Sequence, residues 1–269
     1  MRRAWLPLTV SGLLGIGLGA VVDPHRIVYG WFVAGVFYLS VCLGTTFLVI
    51  VHHLFDAVWM VTLRRFCEHA ACLVFPWLAI VFFPLAVLPG CGGNAGGFGR
   101  VFRSDAGFGA GLHDRIEPLV SIGVLAVVFA SWSWLAYKLR SLSLAQDNTG
   151  DPSLKCCLRR YSVGGAIVLA VTITAATGLW LRWVSPVWMS SIYAACFLTS
   201  CAWFAVAVIW LLAIAIGRAA APGRIGGALQ MRSIGAMLLA FTLLHGYMHY
   251  SQYFVVWNAN LPAETWWYI

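Results

Sequence analysis

Two histidines lie four residues apart within an apolar stretch, His245 and His249 in the segment Ser233–Trp257. Residues four apart share one face of an α-helix, so both rings join Gln252 in a polar stripe. An ionisable side chain at bilayer depth costs about 2.5–3.5 kcal/mol on insertion scales, which makes these residues functional candidates.

Three interpretations of this stripe stay open. The imidazoles could line a proton path or contact a quinone head group. They could ligate haem b, but that site requires a second histidine at matched depth on an opposing helix, and the other histidines lie near segment ends. Hydrogen bonds between helices, worth about 0.6 kcal/mol each on average, would account for the same pattern.

A second group of ionisable residues gathers where two predicted helices meet at one edge of the membrane. Histidine titrates near neutral pH and a neighbouring carboxylate can pass protons on, which favours a proton-loading cluster. A belt of salt bridges anchoring two helix ends explains the same residues equally well. The members of this group are His52, His53, Asp56, Arg64, Arg65, Glu68 and His69.

The elements that position these residues are predicted from composition. The chain of 269 residues is 61% hydrophobic and 10% charged, against about 25% charged for a soluble domain. Windows of about 20 apolar residues are long enough to cross a bilayer, and they predict an all-α, polytopic transmembrane bundle forming a single integral membrane domain over residues 1–269. The seven predicted helices are 5–22, 27–51, 66–88, 117–139, 161–184, 187–217 and 233–257.

Two long connections are predicted, an outer loop at 89–116 and a cytoplasmic loop at 140–160. Most of the seventeen Lys and Arg residues fall on the side of the N-terminus. Because cytoplasmic loops carry the excess of basic residues, we expect a cytoplasmic N-terminus and a C-terminus on the opposite face. The net charge of +8 is therefore interpreted as a topology signal and not as a nucleic-acid interface.

The eight cysteines indicate no metal site. None of them has the paired C-x-x-C spacing of a zinc or iron–sulfur centre, and the chain has no C-x-x-C-H motif for haem attachment. We therefore expect that this chain binds no metal and carries no redox centre of its own.

Several ordered motifs resemble a known family. The segment His52–Glu68, with Trp59, resembles the end of the second helix in one of the two large membrane subunits of alternative complex III, the bacterial quinol:cytochrome c oxidoreductase. Gln146–Asp151 is similar to the family's loop Gln-Asp-x-Thr-Gly-Asp, and the end of the chain resembles its seventh helix and exit. The residues that carry these matches include Trp59, Arg64, Arg65, Asp147, Gly150, Asp151, Tyr193, Ser251, Asn260, Pro262 and Glu264.

The resemblance implies a subunit of the "quinone-binding subunit 2" type, related to the NrfD-like membrane anchors of polysulfide and nitrite reductases. It implies a multi-pass protein of the bacterial inner membrane whose partners are an NrfD-like paralogue, an iron–sulfur subunit and a multihaem cytochrome c. Quinol oxidation is credited to the paralogue, and a structural or proton-conducting role to this type of subunit. Family members continue beyond the position of the last residue here, so we expect a C-terminally short member.

The expected function is that of a scaffold within this complex, serving respiratory electron transfer and providing a proton conduit or a quinone contact. Haem and iron–sulfur clusters are expected on partner subunits. His245 and His249 stand where the family has apolar or small residues, so they inherit no role from it. The alternatives are a transporter or channel with a histidine-lined path, which Pro76 and Pro84 would favour by kinking the third helix, and a free-standing haem cytochrome.

Overall fold

The structure is a computed structural model, and it describes residues 24–61, 63–82, 113–184, 190, 192–219 and 228–259. The predicted helix 5–22, the predicted loop 89–116 except for its last four residues, Pro84, and the motif residues Asn260, Pro262 and Glu264 lie outside these ranges. In the described part of the chain every regular element is helical, so the fold is an all-α helical bundle.

Six α-helices make up the described bundle. They are α1 (Pro24–Phe55), α2 (Arg64–Cys72), α3 (His113–Thr149), α4 (Pro152–Val184), α5 (Tyr193–Ala219) and α6 (Ala228–Ala259). Helix α1 packs centrally against α2, α4 and α5, α3 pairs with α4, and α6 packs on α5. The core is formed mainly by aliphatic side chains at these contacts, such as Leu39, Leu43, Ile173 and Ile209.

Five described segments are long and apolar enough to cross a membrane. They are Gly30–Phe55, Arg64–Phe82, Ile122–Thr149, Pro152–Gly178 and Tyr193–Ala215. Large apolar side chains remain exposed on the outer faces, for example Ile167 on α4 and Leu243 on α6. Exposed apolar faces of this kind are stable only when lipid or another protein covers them. The protein is therefore a multi-pass helical membrane protein.

Helix α6 is not among these five segments, although it contains the predicted span 233–257. Its polar residues, including His245, His249 and Gln252, lower the mean hydropathy of its second half. That α6 crosses the membrane therefore stays a prediction.

The predicted loop 140–160 is wrong. Helix α3 continues to Thr149 and α4 begins at Pro152, so only Gly150 and Asp151 connect them. The polar ends of these helices have ordinary helix propensity in water, whereas a hydropathy window reports only the apolar part of a helix. The turn itself was predicted correctly, since α3 ends at the Asn-Thr-Gly sequence and α4 begins at the Asp-Pro sequence.

The turn has a clear local cause. Gly150 has a φ of 66° and its N–H donates to the Gln146 carbonyl at 2.8 Å, the left-handed helix ending that glycine favours. The Asp151 side chain accepts the Ser153 N–H at 2.8 Å and so caps α4. Pro152 occupies the first helical position, where its missing N–H costs nothing.

The predicted third helix, 66–88, begins two residues earlier and is broken within its described part. Helix α2 ends at Cys72, and a π-helical turn at Val74–Leu78 follows, in which Phe75 has the non-helical angles φ −129° and ψ 138°. Pro76 lacks the N–H needed to continue the ladder. The predicted kink at Pro76 is therefore confirmed.

Candidate functional site

Three segments meet at one end of the bundle: the end of α1, the start of α2 and the end of α3. Two arginines and two carboxylates from α2 and α3 form what we call the ionic cluster, Arg64, Arg65, Glu68 and Asp147, together with Ser143. The two pairs of opposite charges make the cluster neutral overall.

Glu68 lies at the centre of the ionic cluster. Its side chain is only 1% exposed, and Arg65 Nη1 donates to its Oε2 at 2.7 Å. Ser143 Oγ donates to Oε1, and Arg64 Nε lies 3.5 Å from the same oxygen. A buried carboxylate is stable only when donors satisfy its oxygens, and here each oxygen has one.

Asp147 joins α3 to the two arginines. Arg64 Nη2 donates to both carboxylate oxygens, at 2.6 Å and 2.7 Å, and Arg65 Nη2 donates to Oδ2. Helix α2 begins with two arginines and has neither a capping side chain nor an acidic residue in its first turn. Because the positive end of the helix dipole repels cations, these arginines need carboxylates from elsewhere, and Asp147 is the one supplied by another helix.

Helix α1 ends beside this cluster in a Schellman motif. Asp56 has a φ of 50°, and the Ala57 N–H donates to the His52 carbonyl at 3.3 Å. The buried His52 ring ties down the same residue, since its Nδ1–H donates to the Ala57 carbonyl at 3.0 Å. The position of His52 is therefore explained by the ending of its helix.

His53 differs from His52 in having a buried Nε2 with no hydrogen-bond partner among the described residues. The two rings lie 5.0 Å apart between centroids.

Asp56 is exposed and pairs with Lys155 of α4 at 3.0 Å. That hydrogen bond holds the pKa of the Asp56 carboxyl below its ordinary value of 3.8.

His69 lies outside the ionic cluster. It is exposed, and its Nε2 accepts a long hydrogen bond from Arg140 Nη2 at 3.4 Å.

The remaining motif residues lie elsewhere in the bundle. The backbone carbonyl of Trp59 accepts a hydrogen bond from Gln230 Nε2 at 2.8 Å. Tyr193 begins α5, and Ser251 donates within α6 to the Tyr247 carbonyl.

The histidine pair, His245 and His249, lies at the edge of the contact between α5 and α6. The His245 ring stacks on Trp203, with centroids 4.9 Å apart and planes 15° apart, and its Nδ1 lies 3.2 Å from Ser200 Oγ. His249 is exposed, and its ring meets that of His245 at 4.4 Å. The predicted polar stripe therefore straddles the boundary between the protein interior and its surface.

Gln252 occupies the buried end of this stripe. Its Oε1 accepts a hydrogen bond from Ser190 Oγ at 2.6 Å. Trp203 Nε1 donates to Thr242 Oγ1 at 2.9 Å, further along the same helix contact. Among the described residues, no group of three or more His, Cys, Asp or Glu side chains is placed to hold a metal ion.

Several partners in these sites were missed from the sequence, among them Ser143, Ser200 and Trp203. Ser143 could have been found, because it lies four residues before Asp147 and so shares its face of α3. Ser200 and Trp203 share a face of α5, but which of its faces meets α6 depends on how the helices rotate.

The fold and these polar sites define the class as a multi-pass helical membrane protein with an ionic cluster at one end of its bundle. Comparison of the chain with protein-family models gives no match, and comparison with curated proteins gives none either.

Proposed function

We propose that this chain is an integral membrane subunit of a quinol:cytochrome c oxidoreductase of the alternative complex III type, acting mainly as a scaffold. One observation carries the proposal. Two of the motifs that carry the resemblance, His52–Glu68 and Gln146–Asp151, are far apart in sequence, and Arg64 joins them through Asp147. Residues that are matched as separate motifs thus belong to one interaction.

Two roles were considered for the ionisable residues that include the ionic cluster, a proton-loading site and a salt-bridge belt, and the geometry favours the second. Both oxygens of Glu68 accept hydrogen bonds from Arg65 and Ser143, so protonating this carboxylate would break an ion pair. A salt-bridge belt that fastens helix ends fits this arrangement better than a proton-loading site.

A scaffold subunit needs faces for its neighbours, and the described helices α6 and α4 both expose apolar side chains. Helix α6 packs on α5 and exposes Leu239, Leu243 and Tyr250. Helix α4 exposes Val163, Ile167 and Val171 on its outer side. In the proposed complex, the NrfD-like paralogue covers one of these faces, and the haem and iron–sulfur subunits carry the electrons.

The test is purification from native membranes through an affinity tag on this chain. We expect a multihaem cytochrome c and an iron–sulfur subunit to co-purify in fixed ratio, with c-type haem absorbance and quinol:cytochrome c activity in the same fraction. Purification as a stable haem-free monomer would contradict the proposal. An unrelated tagged membrane protein of similar size serves as the control for non-specific capture.

A second candidate, a transporter or channel, is favoured by the break after α2. Transporters bind substrates where helices are interrupted at mid-membrane, and Phe75 has non-helical angles within the span Arg64–Phe82. Proteoliposomes containing the purified chain alone distinguish the two candidates. The scaffold proposal predicts no proton flux above that of empty liposomes, whereas a transporter predicts flux that Phe75→Ala alters.

A further inference from the structure

A groove lies beside the break after α2, between that segment and α3. It has a volume of about 290 Å³, and its lining includes His69, Cys72, Phe75, Trp77, Tyr137 and Arg140. Tyr137 Oη donates to the Phe75 carbonyl at 2.9 Å, which fastens the broken turn to α3. The groove therefore exists because the helix departs from regular geometry at Phe75.

Arg140 gives this groove a positive charge. Its hydrogen bond to His69 Nε2 at 3.4 Å is to a neutral ring nitrogen, and within the described ranges no carboxylate forms an ion pair with it. Arg64 and Arg65, by contrast, share two carboxylates. The groove thus holds an arginine whose charge is not compensated by any carboxylate of the described residues, and an anion is the complementary ligand.

The position of Arg140 limits what that anion is. Arg140 lies directly after the span 117–139 that the sequence predicts. Two residues before it, Lys138 Nζ lies 5.4 Å from the centroid of the Tyr161 ring, and Lys with Tyr is typical of the membrane interface. Phospholipid phosphates lie at this level. A basic pocket between helices at an interface is a known form of anionic-lipid site.

The other end of the groove is apolar and faces outward. Phe75 is 52% exposed and Trp77 is 66% exposed. Trp77 lies eight residues beyond His69, on the far side of the break at Phe75. A ligand with an anionic head and an apolar tail would place its head at Arg140 and its tail along these rings.

We propose that this groove binds an anionic glycerophospholipid, with its phosphate at Arg140 and an acyl chain along Phe75 and Trp77. His69 contributes a second donor, its Nδ1–H, once its ring turns from Arg140 to the phosphate. The proposal needs only that the protein lies in a membrane, so it stands or falls independently of the proposed complex.

The test is a titration of the detergent-solubilised full chain with short-chain phosphatidylglycerol, followed by native mass spectrometry. Matched titrations use phosphatidylcholine of the same chain length and inorganic phosphate. We expect binding of phosphatidylglycerol in preference to both. Arg140→Gln should weaken it about five-fold, as expected for one basic residue at a membrane surface. Arg140→Lys should retain most of the affinity.

The matched control is Arg160→Gln, which removes an equal charge from an exposed position on α4 and should leave the affinity unchanged. Equal loss in both glutamine variants would overturn the proposal, since it would indicate a general surface charge effect. Equal binding of phosphatidylcholine, or inorganic phosphate binding as tightly as the lipid, would overturn it too. A short-chain quinone that binds in place of the lipid with the same dependence on Arg140 would assign the groove to quinone instead.

The phosphatidylglycerol and phosphatidylcholine arms on the wild-type chain keep the proposal falsifiable even when Arg140→Gln fails to fold. A second variant, Trp77→Leu, leaves the charge intact and shortens the apolar wall. We expect it to weaken binding of longer acyl chains more than that of short ones. An unchanged dependence on chain length would contradict the placement of the tail.

Discussion

The ionic cluster and the histidine pair are both polar sites within an apolar bundle, and they differ in how their polar atoms are satisfied. In the ionic cluster a carboxylate that is 1% exposed is paired with two arginines and a serine. In the histidine pair His245 is half-buried and His249 is exposed, and the polar partner of His245 is one hydroxyl at 3.2 Å. We call the ionic cluster a closed site, because its carboxylates are paired with its own arginines. We call the histidine pair an open site, because its ring nitrogens are available to hydrogen-bond another molecule.

The two sites also differ in how they relate to the family that the sequence resembles. Arg64, Arg65 and Asp147 carry the resemblance and lie in the closed site. His245 and His249 are where the chain departs from it, and they lie at the edge of a helix contact. We therefore expect the ionic cluster to determine stability and assembly, and the histidine pair to affect turnover only.

Replacing the central carboxylate of the ionic cluster should have the largest effect on stability. Glu68→Gln leaves Arg64 and Arg65 with one carboxylate between them. Removing one partner of a fully buried pair costs about 3–5 kcal/mol, and the partial exposure of Arg65 reduces the expected loss to about 2–3 kcal/mol. Thermal or denaturant unfolding in detergent micelles measures it.

The control for that variant is Asp56→Asn, which removes a carboxylate from an exposed pair at the same end of the bundle. It should leave the unfolding midpoint unchanged, because exposed ion pairs contribute little. If both variants destabilise the protein equally, the distinction between closed and open polar sites fails.

The contact between α1 and α5 should be nearly as sensitive to substitution as the ionic cluster. A Cβ on Gly44 of α1 would lie 2.1 Å from the Cys201 carbonyl oxygen of α5, so Gly44→Ala must push these helices apart. We expect a loss of about 1–3 kcal/mol, as for other overpacked cores. Gly30→Ala, on the same helix with open space around it, should not reduce the unfolding free energy. Equal effects of the two alanines would show that α1 and α5 do not pack this closely.

The histidine pair should affect activity more than stability. If the chain belongs to the proposed complex, His245→Leu with His249→Leu should lower proton-coupled turnover and leave assembly intact, since the lost hydrogen bond between helices is worth only about 0.6 kcal/mol. Turnover with a quinol substrate and the yield of purified complex are the two measurements. Tyr247→Phe, on the same helix, is the control. Unchanged turnover in the double variant would leave both histidines a purely structural role.

The smallest expected effect concerns Asp56 and pH. Because the pair with Lys155 lowers the pKa of Asp56 below 3.8, its contribution is present above pH 3.8 and is lost as the pH falls through the lowered value. Carboxyl carbon shifts from NMR should show this lowered pKa in the wild-type protein. Lys155→Met should raise the pKa back toward 3.8. An identical titration of the two proteins would show that the pair does not form in solution.

The sequence predicted the all-α fold because membrane helices leave a strong pattern in hydropathy. The helices are longer than the predicted apolar segments where their ends are polar, as at 140–149 and 152–160. A hydropathy window does not detect a helix that continues into water. The turn at Gly150 and Asp151 could be predicted from the sequence, because glycine and Asp-Pro act through local backbone geometry.

Side-chain partners from different helices were harder to predict. Arg64, Glu68 and Asp147 were named from the sequence, but their pairing depends on the rotation and register of α2 against α3. The stacking of His245 on Trp203 depends in the same way on how α5 meets α6. That no carboxylate of the described residues forms an ion pair with Arg140 became visible only when its neighbours could be compared with those of Arg64.

The most direct test of the account is a double-mutant cycle between Arg64 and Asp147, the contact that joins the two distant motifs. Arg64→Gln, Asp147→Asn and the double variant are compared with the wild-type chain by unfolding in detergent. We expect the double variant to lose less unfolding free energy than the two single variants together, by about 0.5 kcal/mol or more. Strictly additive losses would contradict the claim that these residues form one ionic cluster.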